Sequence, residues 1–249
     1  MGELLEVKHL SKSFAGIQAV NDISFSINRG ELVSLIGPNG AGKSTCFNML
    51  NGQIKPDKGS VRINGRETVG MSPDKIWKLG VGRTFQITAT FYSMTVLENV
   101  RIALINDAQK LYSFFARTEK LYHEEAMNLL EQVGIVDQRD RLCGILAYGD
   151  LKRVELAVAL ANNPGLLLMD EPTAGMSPKE RVALMALTHE IVKTKNIAAL
   201  FTEHDMDVVF NHASRIMVLA RGSLIASGMP DEIKNNQMVQ EIYLGASFT

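Results

Sequence analysis

Cysteine is almost missing from these 249 residues: only Cys46 and Cys143 occur, far apart and in no CxxC spacing. That excludes a disulfide framework and a cysteine-based zinc site, and a reducing compartment is the expected setting. Charge of one sign is missing too. With 26 basic and 27 acidic residues the formal net charge is −1, so no global positive field argues for a nucleic-acid partner. The five histidines show no metal spacing, and His123-Glu124-Glu125-Ala126-Met127 lacks the second histidine of a zinc helix. The N-terminus has no basic start with a long apolar stretch, and no run approaches the ~18 to 20 apolar residues that span a bilayer. If the protein works at a membrane, other chains are expected to cross it. There is no internal repeat and no low-complexity linker. What remains is an ordinary globular composition: 46% apolar residues are enough to bury a core in one large domain or two small ones.

The first strong signal is Gly37-Pro38-Asn39-Gly40-Ala41-Gly42-Lys43-Ser44-Thr45, a match to GxxxxGK[ST] directly after the apolar run Leu32-Val33-Ser34-Leu35-Ile36. A strand that ends in a Gly-rich turn and then opens a helix aims several backbone N–H groups and a helix dipole at one spot. Such a spot attracts phosphate. The alternative, a surface Gly-rich turn, does not account for the strand before the loop or the helix after it.

Around this centre the pattern alternates between sheet and helix. Leu4 to Leu10 and Ile23 to Ile27 alternate apolar and polar positions like strands with one buried face, and Asn28-Arg29-Gly30 marks a turn. Phe47, Met49 and Leu50 supply the buried side of a helix that stops at Gly52. Ser60 to Ile63 returns as a strand ended by Asn64-Gly65. Ser72-Pro73 opens a helical segment closed by Gly80, and Thr95-Val96-Leu97-Glu98 has capping-box spacing. From about 88 to 163 the sequence reads as mostly helical, including Leu121 to Val133 with Gly134 as a stop. Short buried-strand runs follow at 166–169, 197–201 and 216–219, separated by helices such as the one opened by Ser177-Pro178-Lys179-Glu180.

The second chemical signal is Leu166-Leu167-Leu168-Met169-Asp170-Glu171, two carboxylates at the end of a buried strand. Alone, the pair also reads as a solvated turn. Coupled to the phosphate loop it fits a division of labour: Asp170 helps hold Mg²⁺ beside Ser44, and Glu171 polarises the attacking water. Each taken alone, Phe14 reads as a core aromatic, Gln86 as a surface amide and His204 as a hydrogen-bonded strand-end histidine.

Taken together, in this order, these elements resemble the ATP-binding cassette ATPases over nearly the whole chain. The resemblance implies an α/β fold: a P-loop NTPase core with a mostly parallel sheet, an N-terminal antiparallel β subdomain and an inserted helical subdomain at about 88–163, all within one nucleotide-binding domain spanning 1–249. It implies that Phe14 stacks on adenine and that Gln86, in Arg83-Thr84-Phe85-Gln86, contacts Mg²⁺ and the attacking water. Leu146-Ala147-Tyr148-Gly149-Asp150 stands where the family has its LSGGQ signature, and Ala174-Gly175-Met176-Ser177 takes the place of the D-loop. His204, in Thr202-Glu203-His204-Asp205, resembles the switch histidine that senses the γ-phosphate.

Two residues depart from the family pattern. Ala147 replaces the signature serine, removing a hydroxyl that would bond a phosphate oxygen while leaving the Gly149 N–H and a helix N-terminus. Ser177 replaces the usual D-loop aspartate, which is expected to loosen coupling between two sites.

The implied machine is a head-to-tail pair of cassettes closing on ATP and Mg²⁺, with permease subunits docking near Gln86 and the outer face of the helical lobe. The aromatic stretch Leu111 to Phe115 reads either as part of that docking face or as internal packing. Within the family, Gly82 to Gln86, the Leu-Ala-Tyr-Gly signature, Glu171 to Met176, the extra segment at 105–122 and the ending Val239 to Gly245 resemble the longer ATPase of branched-chain amino acid importers. That group pairs with a shorter paralogous ATPase, two permeases and a periplasmic solute-binding protein, at the cytoplasmic face of the membrane. Importers of urea or short amides, and soluble cassettes that act as assembly or scaffold factors, are the alternatives.

Overall fold

A computed structural model describes residues 3–84, 90–107 and 116–244, with side chains at 106, 107, 116–121, 243 and 244 left aside. Gln86 and the stretch 111–115 lie outside the described residues. Two sheets form the framework. The first is antiparallel and joins β1 (Glu3–Phe14), β2 (Ile17–Asn28), β4 (Lys58–Ile63) and β5 (Arg66–Glu67) in the order β2-β1-β4-β5. The second runs β10-β9-β3-β8-β7-β6 and is built from β3 (Leu32–Ile36), β6 (Val81–Thr84), β7 (Leu166–Asp170), β8 (Ala198–Thr202), β9 (Arg215–Ala220) and β10 (Ser223–Gly228). Among the described residues only its β9–β10 edge is antiparallel. The chain is thus an α/β protein with a mostly parallel core and an antiparallel N-terminal sheet.

The continuous apolar runs of β3 and β7 to β9 arise because the parallel sheet is covered on both faces. Val33, Leu35, Leu166, Leu168, Leu200 and Leu219 point toward the antiparallel sheet, α1 (Lys43–Leu50) and α2 (Pro73–Lys78), where they meet Leu5, Leu10, Ile27, Phe47, Leu50 and Ile76. Their neighbours Leu32, Ile36, Leu167, Met169, Phe201 and Val218 point the other way, toward the helices. Those helices are α3 (Val96–Asp107), α4 (Ala116–Gln132), α5 (Tyr148–Leu160), α6 (Pro178–Thr194) and α7 (Met206–His212). The period-2 alternation of strand side chains divides one run between two cores.

Local chemistry sets the ends of many elements. Thr95 N donates to Glu98 Oε2 at 2.7 Å and Glu98 N to Thr95 Oγ1 at 3.2 Å, the reciprocal bonds of a capping box. Asn64 and Gly65 both take positive φ between partners Ile63 and Arg66, as a two-residue hairpin needs.

Three features differ from the sequence reading. Ala15-Gly16 and Arg221-Gly222 make further two-residue hairpins with positive φ at both positions, so β1 and β2 extend past the expected ends and β10 appears as an unforeseen strand. Neither dipeptide carries the Asn-Gly signal, and only the twist of the flanking strands selects that turn. The four residues of β6 were also not foreseen, because Val81-Gly82-Arg83-Thr84 has neither alternation nor an apolar run. Gly82 is nevertheless fixed by packing: a Cβ there would lie 2.5 Å from the Ala159 carbonyl oxygen of α5.

Candidate functional site

The loop after β3 folds back over the start of α1. Gly42 sits at φ 104°, and a Cβ on it would lie 2.2 Å from the Ala19 carbonyl oxygen of β2, so both backbone conformation and space demand glycine there. Lys43 is buried, and its Nζ donates to the Gly37 carbonyl at 2.6 Å and the Pro38 carbonyl at 3.1 Å. Burial holds its pKa below the ordinary lysine value, while the Glu171 and Asp170 carboxylates act in the opposite sense. A cleft of about 220 Å³ opens above the loop, lined by Ala19, Asn39 to Thr45, Glu171 and His204.

Beside the loop, the carboxyl ends of the parallel strands β7 and β8 lead into Asp170, Glu171 and His204. The β7–β8 ladder ends at the pair Asp170–Thr202. Thr202 Oγ1 donates to Asp170 Oδ1 at 2.7 Å and accepts from Glu171 N at 3.0 Å. Glu171 takes φ 49°, in the left-handed region that costs a non-glycine residue energy. Its Oε1 lies 3.0 Å from His204 Nε2. On the far side of His204, Asp205 caps α7 by accepting from Asp207 N at 3.1 Å and Val208 N at 3.2 Å, and pairs with Arg181 of α6. Burial pushes the Asp205 pKa up, but these donors outweigh it and hold the carboxyl below its ordinary value. The histidine is therefore presented from a main chain fixed on one flank by a helix cap.

The remaining predicted residues divide into two groups. Phe14 stands half-exposed at the end of β1, with Lys12 Nζ 5.5 Å from its ring, and is not among the residues lining the cleft. Ala147, Tyr148, Gly149 and Asp150 do not line it either. They form the N-terminus of α5, with Ala147 as an N-cap that supplies no side-chain bond. They pack instead on the segment leading into α6. A Cβ on Gly175 would lie 3.2 Å from the Tyr148 ring, and one on Gly149 would lie 2.5 Å from Glu180 Oε1. Ser177, the departure noted in the sequence, caps α6 through Glu180: its N and Oγ donate to Glu180 Oε2 at 2.9 and 2.6 Å.

Within one chain, then, the phosphate loop and the two strand-end acids meet, while the α5 N-terminus presents a second, separate surface. That division, together with a match to the ABC transporter family over residues 20–174, decides the assignment. The chain belongs to the ABC transporter family, as one of its ATP-binding cassettes. This cassette is 39% identical over 249 residues to the high-affinity branched-chain amino acid transport ATP-binding protein LivG of Salmonella typhimurium, with 97% of the chain and 98% of that protein covered. It is 38% identical, with the same coverage, to the corresponding protein BraF of Pseudomonas aeruginosa. Among solved structures, the ADP conformation of an ATP-binding cassette of an ABC transporter superposes with a TM-score of 0.87 at 32% identity, covering 98% of this chain and 100% of the other. A dimeric bacterial ABC transporter cassette superposes with a TM-score of 0.77 at 26% identity, covering 91% and 98%. The cassette is accordingly a nucleotide-binding ATPase.

The sequence reading missed Thr202, Glu203 and Thr173 as parts of the site. Glu203 was within reach: a carboxylate beside a buried strand end carries the same signal that singled out Asp170 and Glu171.

Proposed function

We propose that the cassette is the ATP-hydrolysing subunit of a membrane importer for branched-chain or other amino acids. The observation that carries hydrolysis is the convergence of Lys43, Glu171 and His204 on one cleft. The similarity to LivG and BraF over nearly the full length of each supports the solute class.

In this reading the N–H groups from Asn39 to Thr45 and the Lys43 ammonium hold the phosphates of ATP. Ser44 and Asp170 offer hard oxygen donors of the kind Mg²⁺ takes, and Thr202 keeps one Asp170 oxygen oriented. Gln86 is assigned to the same ion and to the attacking water by its place in the family motif. Mg²⁺ supplies charge neutralisation on the phosphates. Glu171 accepts the proton of the attacking water, and His204 holds that carboxylate in place and stabilises charge developing on the γ-phosphoryl group. Phe14 provides the adenine platform.

The surface of Ala147, Tyr148, Gly149 and Asp150 does not line its own cleft and serves the cleft of a second cassette, so the working unit is a pair, either of this chain or with a paralogue. The helices between β6 and β7 form the lobe, about 88–163, that passes closure to permease subunits at the cytoplasmic face of the membrane. Among the described residues no helix is long and apolar enough to cross a membrane. A periplasmic binding protein would deliver solute to the assembled importer, and ATP with Mg²⁺ would be the fuel of the cycle.

The test is reconstitution with the permease pair in vesicles. ATP hydrolysis should rise when a solute-loaded binding protein is added and should vanish in Lys43→Ala. A chain that hydrolyses ATP equally with or without membrane subunits, and co-purifies only with soluble partners, would overturn the importer reading in favour of a soluble assembly factor.

A further inference from the structure

The strand-end acids are held by more than the sheet. Beyond the last rung of the β7–β8 ladder, Asp170–Thr202, the two chains diverge and no backbone ladder joins residues 171–173 to residues 203–204. Side chains take over. Thr202 secures Asp170 and the Glu171 N–H. One residue further on, Glu203 is only 4% exposed although it carries a carboxylate. Its Oε1 accepts from Thr173 N at 2.9 Å and from Thr173 Oγ1 at 2.6 Å, and its Oε2 accepts from His204 N at 3.2 Å. A carboxylate is rarely buried unless paired or well supplied with donors, and here it receives three, on both sides of one reacting pair.

We propose that Glu203 is the positioning residue that holds the Glu171–His204 pair at working distance, by tying the main chain two residues after Glu171 to the main chain of His204. The proposal rests on the hydrolytic reading of that pair. Glu203 itself does not line the cleft, so it acts through His204 and Glu171 and not on the nucleotide. Its chemistry is specific. All three partners donate, and a carboxylate accepts from each with no hydrogen of its own to place. The amide of glutamine would turn an NH₂ against one of them, releasing either Thr173 or His204 while keeping nearly the same volume. Because the phosphate loop is built from other elements, nucleotide affinity should survive such a change while the hydrolytic geometry does not. Misplacing a reacting group by about 1 Å costs on the order of 10²-fold in rate.

The experiment compares wild type, Glu203→Gln, His204→Ala and the double variant in the assembled transporter, reading kcat and KM for ATP together with equilibrium nucleotide affinity. Glu203→Gln should lower kcat about tenfold to a hundredfold with nucleotide affinity within about twofold. It should have no further effect in the His204→Ala background, because residues acting through one another are non-additive. Thr173→Val, which removes one of the three donors and keeps the shape, should lower kcat in the same direction by less, and it serves if Glu203→Gln fails to fold. Normal kcat in Glu203→Gln beside a defective His204→Ala overturns the proposal and leaves the hydrolytic reading intact. Independent, multiplicative losses, or a loss of nucleotide affinity matching the loss of kcat, also overturn it, since a merely structural role would produce them. An active His204→Ala refutes the hydrolytic reading and the proposal with it.

Discussion

Lys152 and Glu155 form an ion pair one turn apart on α5, Nζ to Oε2 3.0 Å, with both side chains only 4% exposed. Replacing Lys152 with methionine keeps an apolar, unbranched stem of nearly the same length and removes the ammonium, with its charge, its hydrogen bond to Glu155 and its contact over the Tyr148 ring. At 3.0 Å and an effective dielectric near 20, the Coulomb attraction is about 5 kcal/mol. The desolvation of two charges offsets much of that in the intact pair, so the pair itself contributes little net stability. The single variant differs because Glu155 stays buried near Leu156, Met169, Pro172 and Leu184 and loses the Lys152 ammonium from its surroundings. We expect Lys152→Met to destabilise the fold by about 3 to 5 kcal/mol, and Lys152→Met with Glu155→Gln to recover most of that loss. Urea unfolding of the four proteins of this cycle, followed by far-UV circular dichroism, measures both numbers. The same pocket is lined by Thr84 of β6 and Thr188 of α6, so the pair sits where α5 meets the core. A Lys152→Met protein within about 1 kcal/mol of wild type, or a double variant no better than the single, would refute this account of a desolvated pair.

Glu171→Gln should bind nucleotide and lower hydrolysis by roughly 10²- to 10⁴-fold, accumulating a nucleotide-bound dimer on gel filtration; undiminished turnover would remove Glu171 from its proposed role. Ala147→Ser should raise thermal stability through a better N-cap on α5, by about 1 kcal/mol, and should tighten ATP about tenfold at the site it completes. A stability gain with unchanged nucleotide affinity would mean that the cap uses up the hydroxyl, and would count against the expectation drawn from that substitution. His212 has its pKa held below the ordinary histidine value, first by burial and then by the neighbouring His189. Between its folded value and about 6.5 the unfolded chain binds more protons, so its contribution to stability is complete above about pH 6.5 and is lost as pH falls through the folded value. His212→Asn should flatten that part of the stability–pH curve, and an unchanged slope would refute it.

Much of the site was legible before folding because its signals are local. The stretch from Gly37 to Thr45 is a turn whose glycines and helix start lie within nine consecutive positions, and the run ending in Asp170-Glu171 announces a strand end in six. Gln86 and the stretch Leu111 to Phe115 fall outside the described residues. Phe14 stands half-exposed at the end of β1 and is not among the residues lining the cleft, so its spacing in the chain located it at a strand end.

Backbone periodicity and turn chemistry act over a few residues, which is why the sequence by itself determined the alternating strands, the phosphate loop, the capping boxes at Thr95 and Ser177 and the Asn64-Gly65 hairpin. The tertiary structure alone decided that Thr202, Glu203 and His204 cross-link to residues 30 to 33 positions away, that the N-terminus of α5 packs on the start of α6 and does not line the cleft, and that Lys152 and Glu155 are buried. Each of these depends on which strand lies beside which. That choice is made by packing the two faces of the parallel sheet, and no window of neighbouring residues contains it.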